Sequence, residues 1–208
     1  MKVLVVDLWD TLIFEKTKGS SRKNRIKHLK NNYGYTDSYW EARYCCCQKI
    51  AKEAEKKGLF YSDVERIGYL LAEIDTSNEF LVMTKKAFDN IAEDNEYEVN
   101  KFVLSIINDF RRKNVKIVLL SNTGFIDVNT TKKILEKYKL IELFDEMFFS
   151  GELNFGKPSP MFYNVMLFNQ KCDVEDIIFV CNSVFFDVMG ARNVNISNMI
   201  VFNNFLEE

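Results

Sequence analysis

Five short hydrophobic runs, each close to polar residues, constrain the fold of this chain more than any other feature. They cover residues 2–6, 116–120, 146–149, 177–181 and 198–202. Short apolar runs rich in valine, isoleucine and phenylalanine are typical of strands that are buried on both faces. Such strands occur in parallel sheets, where a crossover, usually a helix, joins successive strands. The sequence therefore predicts an α/β fold built on a parallel sheet.

Helical signals separate the later runs, as this fold requires. Residues 127–139 place Ile134, Leu135 and Tyr138 at helical spacing. Ser159 is a suitable N-cap for a helix that begins with Pro160, because proline is favoured at the first helical position. We expect helices of this kind to cover both faces of the sheet.

A different kind of sequence lies between the first two runs. Residues 39–57 show helical periodicity, and Ser62 with Glu65 forms a capping box that opens another helix. Further helical patterns continue to a turn signal at 94–96. The predicted division is a core of residues 1–14 and 99–208 and a helical insertion of residues 15–98.

Composition and charge exclude several classes of protein. A hydrophobic content of 47% permits a buried core, and a net charge of −2 argues against nucleic-acid binding. No apolar run approaches the roughly 20 residues of a membrane span, so we expect no membrane partner. The first residues lack a signal-peptide pattern and the five cysteines are odd in number, so we expect a cytoplasmic protein with reduced thiols. The oligomeric state stays open.

The residues that follow the hydrophobic runs carry the candidate chemistry. Ligands of an open parallel sheet bind at the carboxyl ends of its strands. Near those ends the sequence has two carboxylates, a hydroxyl and a lysine, namely Asp7, Asp187, Ser121 and Lys157. Because the chain has a single histidine, we expect chemistry that depends on carboxylates and lysine rather than on a histidine base.

The order of these residues resembles the four motifs of the haloacid dehalogenase superfamily. The four matching segments are Asp7-Leu8-Trp9-Asp10-Thr11-Leu12, Ser121-Asn122, Gly156-Lys157-Pro158, and the stretch from Asn182 through Asp187 to Gly190-Ala191. The predicted insertion is similar to the helical cap of many members, so the resemblance covers nearly the whole chain. It implies a Rossmann-like core with a helical cap and a hydrolase that acts on a small anionic substrate.

The resemblance also implies catalytic roles. Asp7 would attack the substrate and form a covalent aspartyl intermediate. Lys157 would neutralise negative charge on Asp7 and on the substrate. Ser121, with nearby backbone amides, would hold an anionic oxygen of the transferred group. Thr11 would fix the loop after the first strand, and Asp187 would hold Lys157 or a metal-bound water.

Substrate and metal contacts are implied as well. Trp9, Asn122 and Tyr163 occupy positions at which the substrate would be contacted. Mg²⁺ would normally be bound at four positions, which here are Asp7, the backbone carbonyl of Trp9, Asn182 and Asp187. Asn182 lacks the charge of the usual aspartate, so we expect Mg²⁺ binding to be possible but weakened.

A second departure from the family pattern leaves the reaction open. Trp9 stands where phosphatases of the family have an aspartate that protonates the leaving group, a contribution of about 10²–10⁴-fold in rate. The resemblance favours a phosphate ester as the substrate, because phosphate esters are the common substrates of the family. One alternative is carbon–halogen hydrolysis, because the dehalogenases carry an aromatic residue at this position. Another alternative is a non-catalytic binding or regulatory protein on the same fold.

Residues 16–30 form a basic segment within the predicted insertion. The segment has seven basic side chains and no acidic one. We interpret it as the solvated face of a helix. The alternative is that it draws anionic substrates towards the cleft.

Overall fold

A computed structural model describes residues 2–74 and 77–202 of the chain. The strands are β1 (Val3–Val6), β2 (Ile13–Glu15), β3 (Tyr97–Val99), β4 (Lys116–Ser121), β5 (Glu146–Phe149), β6 (Ile177–Cys181) and β7 (Met199–Val201). The helices are α1 (Ser20–Tyr33), α2 (Asp37–Glu55), α3 (Asp63–Leu71), α4 (Asn78–Asp94), α5 (Lys101–Arg112), α6 (Val128–Lys137), α7 (Ser150–Leu153), α8 (Pro160–Gln170) and α9 (Met189–Arg192). Single turns of 3-10 helix occur at Ile141–Leu143 and Val174–Asp176, and a π-helical turn occurs at Val184–Val188.

Five strands form one parallel sheet in the order β5-β4-β1-β6-β7. Alternate side chains of the central strand β1 point to opposite faces, as strand geometry requires. Leu4 and Val6 pack into one hydrophobic cluster, and Val3 and Val5 pack into the other. Burial of each such side chain stabilises the fold by roughly 1.5–3 kcal/mol. The prediction of an α/β fold with a parallel sheet is confirmed.

Helices cover both faces of this sheet. Val103 of α5 and Ile134 of α6 pack on the face that holds Leu4, and Phe162 and Met166 of α8 pack on the opposite face. The helix α8 begins at Pro160, as the sequence predicted. Within residues 2–74 and 77–202, no helix has both the length and the apolar character that crossing a bilayer requires.

The strand ends agree closely with the hydrophobic runs. Runs 146–149 and 177–181 coincide with β5 and β6, whereas β7 is shorter than the run at 198–202. Strand β4 extends one residue beyond its run, and its last residue, Ser121, pairs with Phe149 of β5. A polar residue at the end of a buried run can still join the ladder, because ladder hydrogen bonds use the backbone alone.

Four helices, α1 to α4, form the helical insertion between β2 and β3, and they have a core of their own. Leu29, Trp40, Leu70 and Phe88 are fully buried in it. The predicted capping box is present at the start of α3, where the side chains and backbone amides of Ser62 and Glu65 bond reciprocally. The helix predicted over 39–57 is α2, which begins two residues earlier and ends at Glu55.

A two-stranded antiparallel ladder joins the two ends of the insertion. Strands β2 and β3 pair Ile13 with Val99 and Glu15 with Tyr97. The sequence analysis missed both strands, because three residues are too few to show a period of two. The ladder sets where the chain leaves the core and where it returns.

The basic segment at 16–30 forms most of helix α1. Its exposed residues include Lys30, which contacts Asp37 at 2.7 Å. Arg25 of the same segment is buried with only 9% of its surface exposed. The interpretation of the segment as a solvated face is therefore wrong for Arg25, because tertiary packing against the insertion covers it.

Candidate active site

Asp7 lies at the carboxyl end of the central strand β1 with its side chain almost fully buried. Its backbone amide donates to the carbonyl of Val180 at 2.9 Å, so the ladder between β1 and β6 continues through it. The hydroxyl of Thr11 donates to Asp7 Oδ2 at 2.7 Å. The backbone bond and the hydroxyl of Thr11 together fix the direction of the carboxylate.

Lys157 bridges two carboxylates that come from different strand ends. Its Nζ lies 2.5 Å from Asp7 Oδ1 and 2.7 Å from Asp187 Oδ1. The exposed fractions of Asp7, Lys157 and Asp187 are 5%, 2% and 1%. A single ammonium between two carboxylates leaves one net negative charge in a dry environment, where charge–charge interactions are strong.

Burial and charge shift the protonation equilibria of this cluster. Burial raises the pKa of Asp7 to about 6, although Lys157 lowers it, and Asp187 adds a smaller upward shift. Burial lowers the pKa of Lys157, but Asp187 and Asp7 outweigh that effect and raise it above its usual value. The two carboxylates therefore favour the charged form of Lys157, whereas burial makes the charged form of Asp7 less favourable than in water.

The side chain of Asn122 holds the backbone of Lys157 in place. Asn122 Oδ1 accepts from the amide of Lys157, and Asn122 Nδ2 donates to its carbonyl, each at 2.8 Å. A Cβ at Gly156 would lie 2.5 Å from Asn122 Oδ1, so only glycine permits this contact. Both the oxygen and the nitrogen of the side-chain amide are engaged, so the side chain of Asn122 positions Lys157.

A π-helical turn presents Asp187. The amide of Ser183 donates to Asp187 Oδ2 at 2.9 Å. Tyr163 is fully buried, and its hydroxyl donates to the carbonyls of Phe186 at 2.9 Å and Asp187 at 3.2 Å. Tyr163 therefore supports the turn from behind, in contrast to the substrate contact expected for it. Turns of the π type occur frequently at functional sites.

Gly190 lets Tyr163 reach this position. A Cβ at Gly190 would lie 2.5 Å from Cε2 and 2.7 Å from the hydroxyl of Tyr163. Glycine at this position therefore has a structural role.

Ser121 and Trp9 occupy the remaining strand-end positions. Ser121 is fully buried, and its Oγ lies 3.4 Å from the carbonyl of Asn122. The ring of Trp9 is half-buried and packs against Tyr97 with a centroid separation of 5.7 Å. Asp10 follows with φ +58°, so the loop turns sharply here. The side chain at position 9 is held against β3 and supplies no acid.

The residues expected to bind Mg²⁺ make contacts with other groups of the protein. Asp187 directs one oxygen at Lys157 and the other at the amide of Ser183. Asn182 Nδ2 donates to the carbonyl of Asp10 at 3.1 Å, a contact that fixes the orientation of the amide. Among residues 2–74 and 77–202, no three histidine, cysteine, aspartate or glutamate side chains are grouped around a possible metal position. Mg²⁺ usually binds through one or two carboxylates together with water and substrate oxygens, so the loss of a carboxylate at Asn182 weakens this position for Mg²⁺.

The fold and this cluster define a class of protein. The chain is an α/β protein with a Rossmann-like parallel sheet, a helical insertion after the first strand, and a carboxylate–ammonium–carboxylate cluster at the carboxyl edge of the sheet. The sequence model of the haloacid dehalogenase-like hydrolases matches residues 40–201. The chain therefore belongs to the haloacid dehalogenase-like hydrolase family.

Solved structures of other family members share the fold at low sequence identity. Magnesium-bound YfnB from Bacillus subtilis has a TM-score of 0.72 and 16% identity, covering 95% of this chain and 86% of that chain. A HAD phosphatase from Thermococcus onnurineus has a TM-score of 0.68 and 14% identity, and the match covers 100% of this chain and 89% of that chain. A third match is the L-2-haloacid dehalogenase from Xanthobacter autotrophicus with covalently bound chloropropionic acid. Its TM-score is 0.60 at 14% identity, and the match covers 98% of this chain and 77% of that chain. Curated protein sequences give no significant match.

Proposed function

We propose that this protein is a hydrolase in which Asp7 is the nucleophile and the substrate is a small anionic molecule. The contact of Lys157 with both Asp7 and Asp187 carries this proposal. A buried carboxylate is desolvated, and a fixed ammonium beside it offsets the charge that develops during the attack. Thr11 and Lys157 hold the two carboxylate oxygens, so the nucleophile is oriented before the substrate arrives.

The first substrate class is a phosphate ester with a good leaving group. An oxygen of Asp7 bonds to phosphorus as the ester oxygen departs with its electron pair, which gives an aspartyl phosphate and an alkoxide or phenoxide. Water then attacks the intermediate, releases phosphate and restores Asp7. Trp9 offers no proton, so the leaving oxygen must be stable as an anion. Phenols and other acidic alcohols meet this condition.

Carbon–halogen hydrolysis is the second candidate, and Trp9 favours it. A halide departs as an anion and needs neither a proton donor nor a metal ion. Trp9 supplies no proton, and Asn182 in place of the usual aspartate weakens the position for a metal ion. In that reaction Asp7 would displace the halide at carbon, and water would hydrolyse the resulting ester. The helical insertion would act as a cap that excludes bulk water in either reaction.

Turnover of two test substrates checks the proposal. Phenyl phosphate and 2-chloropropionate are assayed with and without Mg²⁺, and Asp7→Asn is the control variant. We expect product release that depends on Asp7 and changes little when Mg²⁺ is omitted. Phosphate release places the protein among phosphatases, and chloride release places it among dehalogenases. Strictly Mg²⁺-dependent turnover would contradict our account of the ligand set, and inactivity on both substrates would favour the non-catalytic alternative.

A further inference from the structure

Ser150 is a fully buried serine at the junction of β5 and α7, beside the loop that begins at Ser121. Strands β4 and β5 pair as far as Ser121 and Phe149, and Ser150 follows directly. Two residues after Ser121, the amide of Thr123 donates to Ser150 Oγ at 2.9 Å, and the two hydroxyl oxygens lie 3.3 Å apart. A buried amide needs an acceptor, so the serine side chain supplies one where the ladder between the strands has ended.

Ser150 also packs against the loop that carries Lys157. A Cβ at Gly156, the residue before Lys157, would lie 2.7 Å from Ser150 Cβ. A Cβ at Gly151 would lie 3.0 Å from Thr123 Oγ1. The two glycines therefore allow the close approach that brings Ser150 into contact with both loops.

Two side chains link these loops in opposite directions. Asn122 binds the backbone of Lys157 through both polar atoms of its amide, and Ser150 binds the backbone of Thr123. The two residues that follow Ser121 are thus both bonded to the segment beyond β5. Loss of the link through Ser150 would leave the backbone after Ser121 without its buried acceptor.

We infer that Ser150 is a positioning residue that holds Ser121 in place to bind an oxyanion of the substrate. The inference rests on the proposed function, with Ser121 as the expected ligand of an anionic oxygen. Ser121 Oγ makes a long contact of 3.4 Å with the carbonyl of Asn122, and a charged acceptor can displace so weak a bond. Donors of this kind act strongly only when they are fixed in advance, since a displacement of about 1 Å can remove most of their effect.

Anion binding tests this inference independently of turnover. Inorganic phosphate and acetate, the oxyanion types of the two proposed reactions, are titrated calorimetrically into wild type, Ser150→Ala and Thr131→Val. Thr131 is the matched control, because its hydroxyl is equally buried and donates to the carbonyl of Asp127 at 3.1 Å. We expect the affinity for at least one anion to fall about tenfold in Ser150→Ala and to stay within about twofold in Thr131→Val.

A double-mutant cycle with Ser121→Ala separates positioning from a general structural role. If Ser150 acts through Ser121, then adding Ser150→Ala to Ser121→Ala should weaken binding by no more than about a further twofold. Independent, additive losses would contradict the assignment. Exchange of the Thr123 amide with solvent deuterium should also become at least about tenfold faster in Ser150→Ala and stay unchanged in Thr131→Val.

A second variant covers the case in which Ser150→Ala fails to fold. Ser150→Cys keeps a side chain of similar shape with a weaker acceptor, so we expect an intermediate affinity. Equal binding by wild type and the Ser150 variants, or no binding of either anion by wild type, would overturn the inference. Ser150-dependent binding without turnover would leave it standing and refute only the proposed hydrolysis.

Discussion

Two buried cations in this protein have opposite surroundings. Lys157 lies in the core and contacts the carboxylates of Asp7 and Asp187, so its charge is more than neutralised. Arg25 lies in the helical insertion among aromatic rings, with the hydroxyl of Tyr44 as its hydrogen-bond acceptor. Burial of a charge is unfavourable in both places, but the fold itself compensates for it fully at only one of them.

The difference separates a cation that the fold requires from one that the fold tolerates. Removal of Lys157 would leave two carboxylates facing each other without a counter-charge. Removal of Arg25 would leave aromatic rings and one hydroxyl. Lys157 is therefore part of the folded arrangement that orients the nucleophile, whereas Arg25 is surrounded by aromatic rings and bonds to one hydroxyl.

Lys157→Met should have the largest effect on stability. It leaves Asp7 and Asp187 buried and unpaired, and breaking a buried pair in this way lowers the free energy of unfolding by about 3–5 kcal/mol. Urea denaturation at neutral pH measures the loss, with the exposed variant Lys27→Met expected within about 0.5 kcal/mol of wild type. Wild-type stability for Lys157→Met would show that Lys157 does not hold the cluster together.

Gly190→Ala should have an intermediate effect, because it disturbs the support behind Asp187. The added Cβ lies 2.5 Å from Tyr163 Cε2, so the ring must shift and its bonds to the turn are strained. Overpacking of this kind lowers stability by about 1–3 kcal/mol. Gly68→Ala is the matched control within α3, since its nearest contact would be Leu81 Cδ2 at 3.7 Å. Alanine is a better helix former, so that variant should be neutral or up to about 1 kcal/mol more stable.

Arg25→Met should have the smallest effect on stability. Methionine replaces the poorly matched guanidinium with apolar volume among Phe88 and Phe125, and the lost contact to Tyr44 opposes that gain. We expect a change of about 1 kcal/mol or less in either direction. The same urea experiment measures it, beside Lys157→Met. If Arg25→Met lowers the free energy of unfolding as much as Lys157→Met does, then Arg25 is a structural cation like Lys157.

The sheet and its strand-end residues were predictable because their signals are local. A buried strand needs a short continuous apolar run, and the run can be seen without knowledge of its neighbours. The carboxyl ends of parallel strands meet at one edge, so Asp7, Lys157 and Asp187 were expected to lie close together, and they do. The capping box at Ser62 was found for the same reason, since its partners are three residues apart.

The hydrogen-bond partners of the individual polar residues at the site were not predictable from the sequence. Asn122 was expected to contact substrate, yet both polar atoms of its amide bind the backbone of Lys157, which is distant in sequence. Tyr163 was expected at the substrate, yet it supports the turn that presents Asp187. No local pattern reports which of several polar side chains will meet which backbone group.

The sequence by itself determined the class of fold and the family, together with the identities of the residues at the strand ends. Periodicity and motif order contain that information because they depend on short segments of the chain. Only the tertiary structure decided that two carboxylates neutralise Lys157. It also decided that Arg25, from a segment that looked solvated, is buried with no carboxylate partner among residues 2–74 and 77–202. The physical reason is that burial and pairing depend on which distant surfaces meet, and charge energies change most where water is excluded.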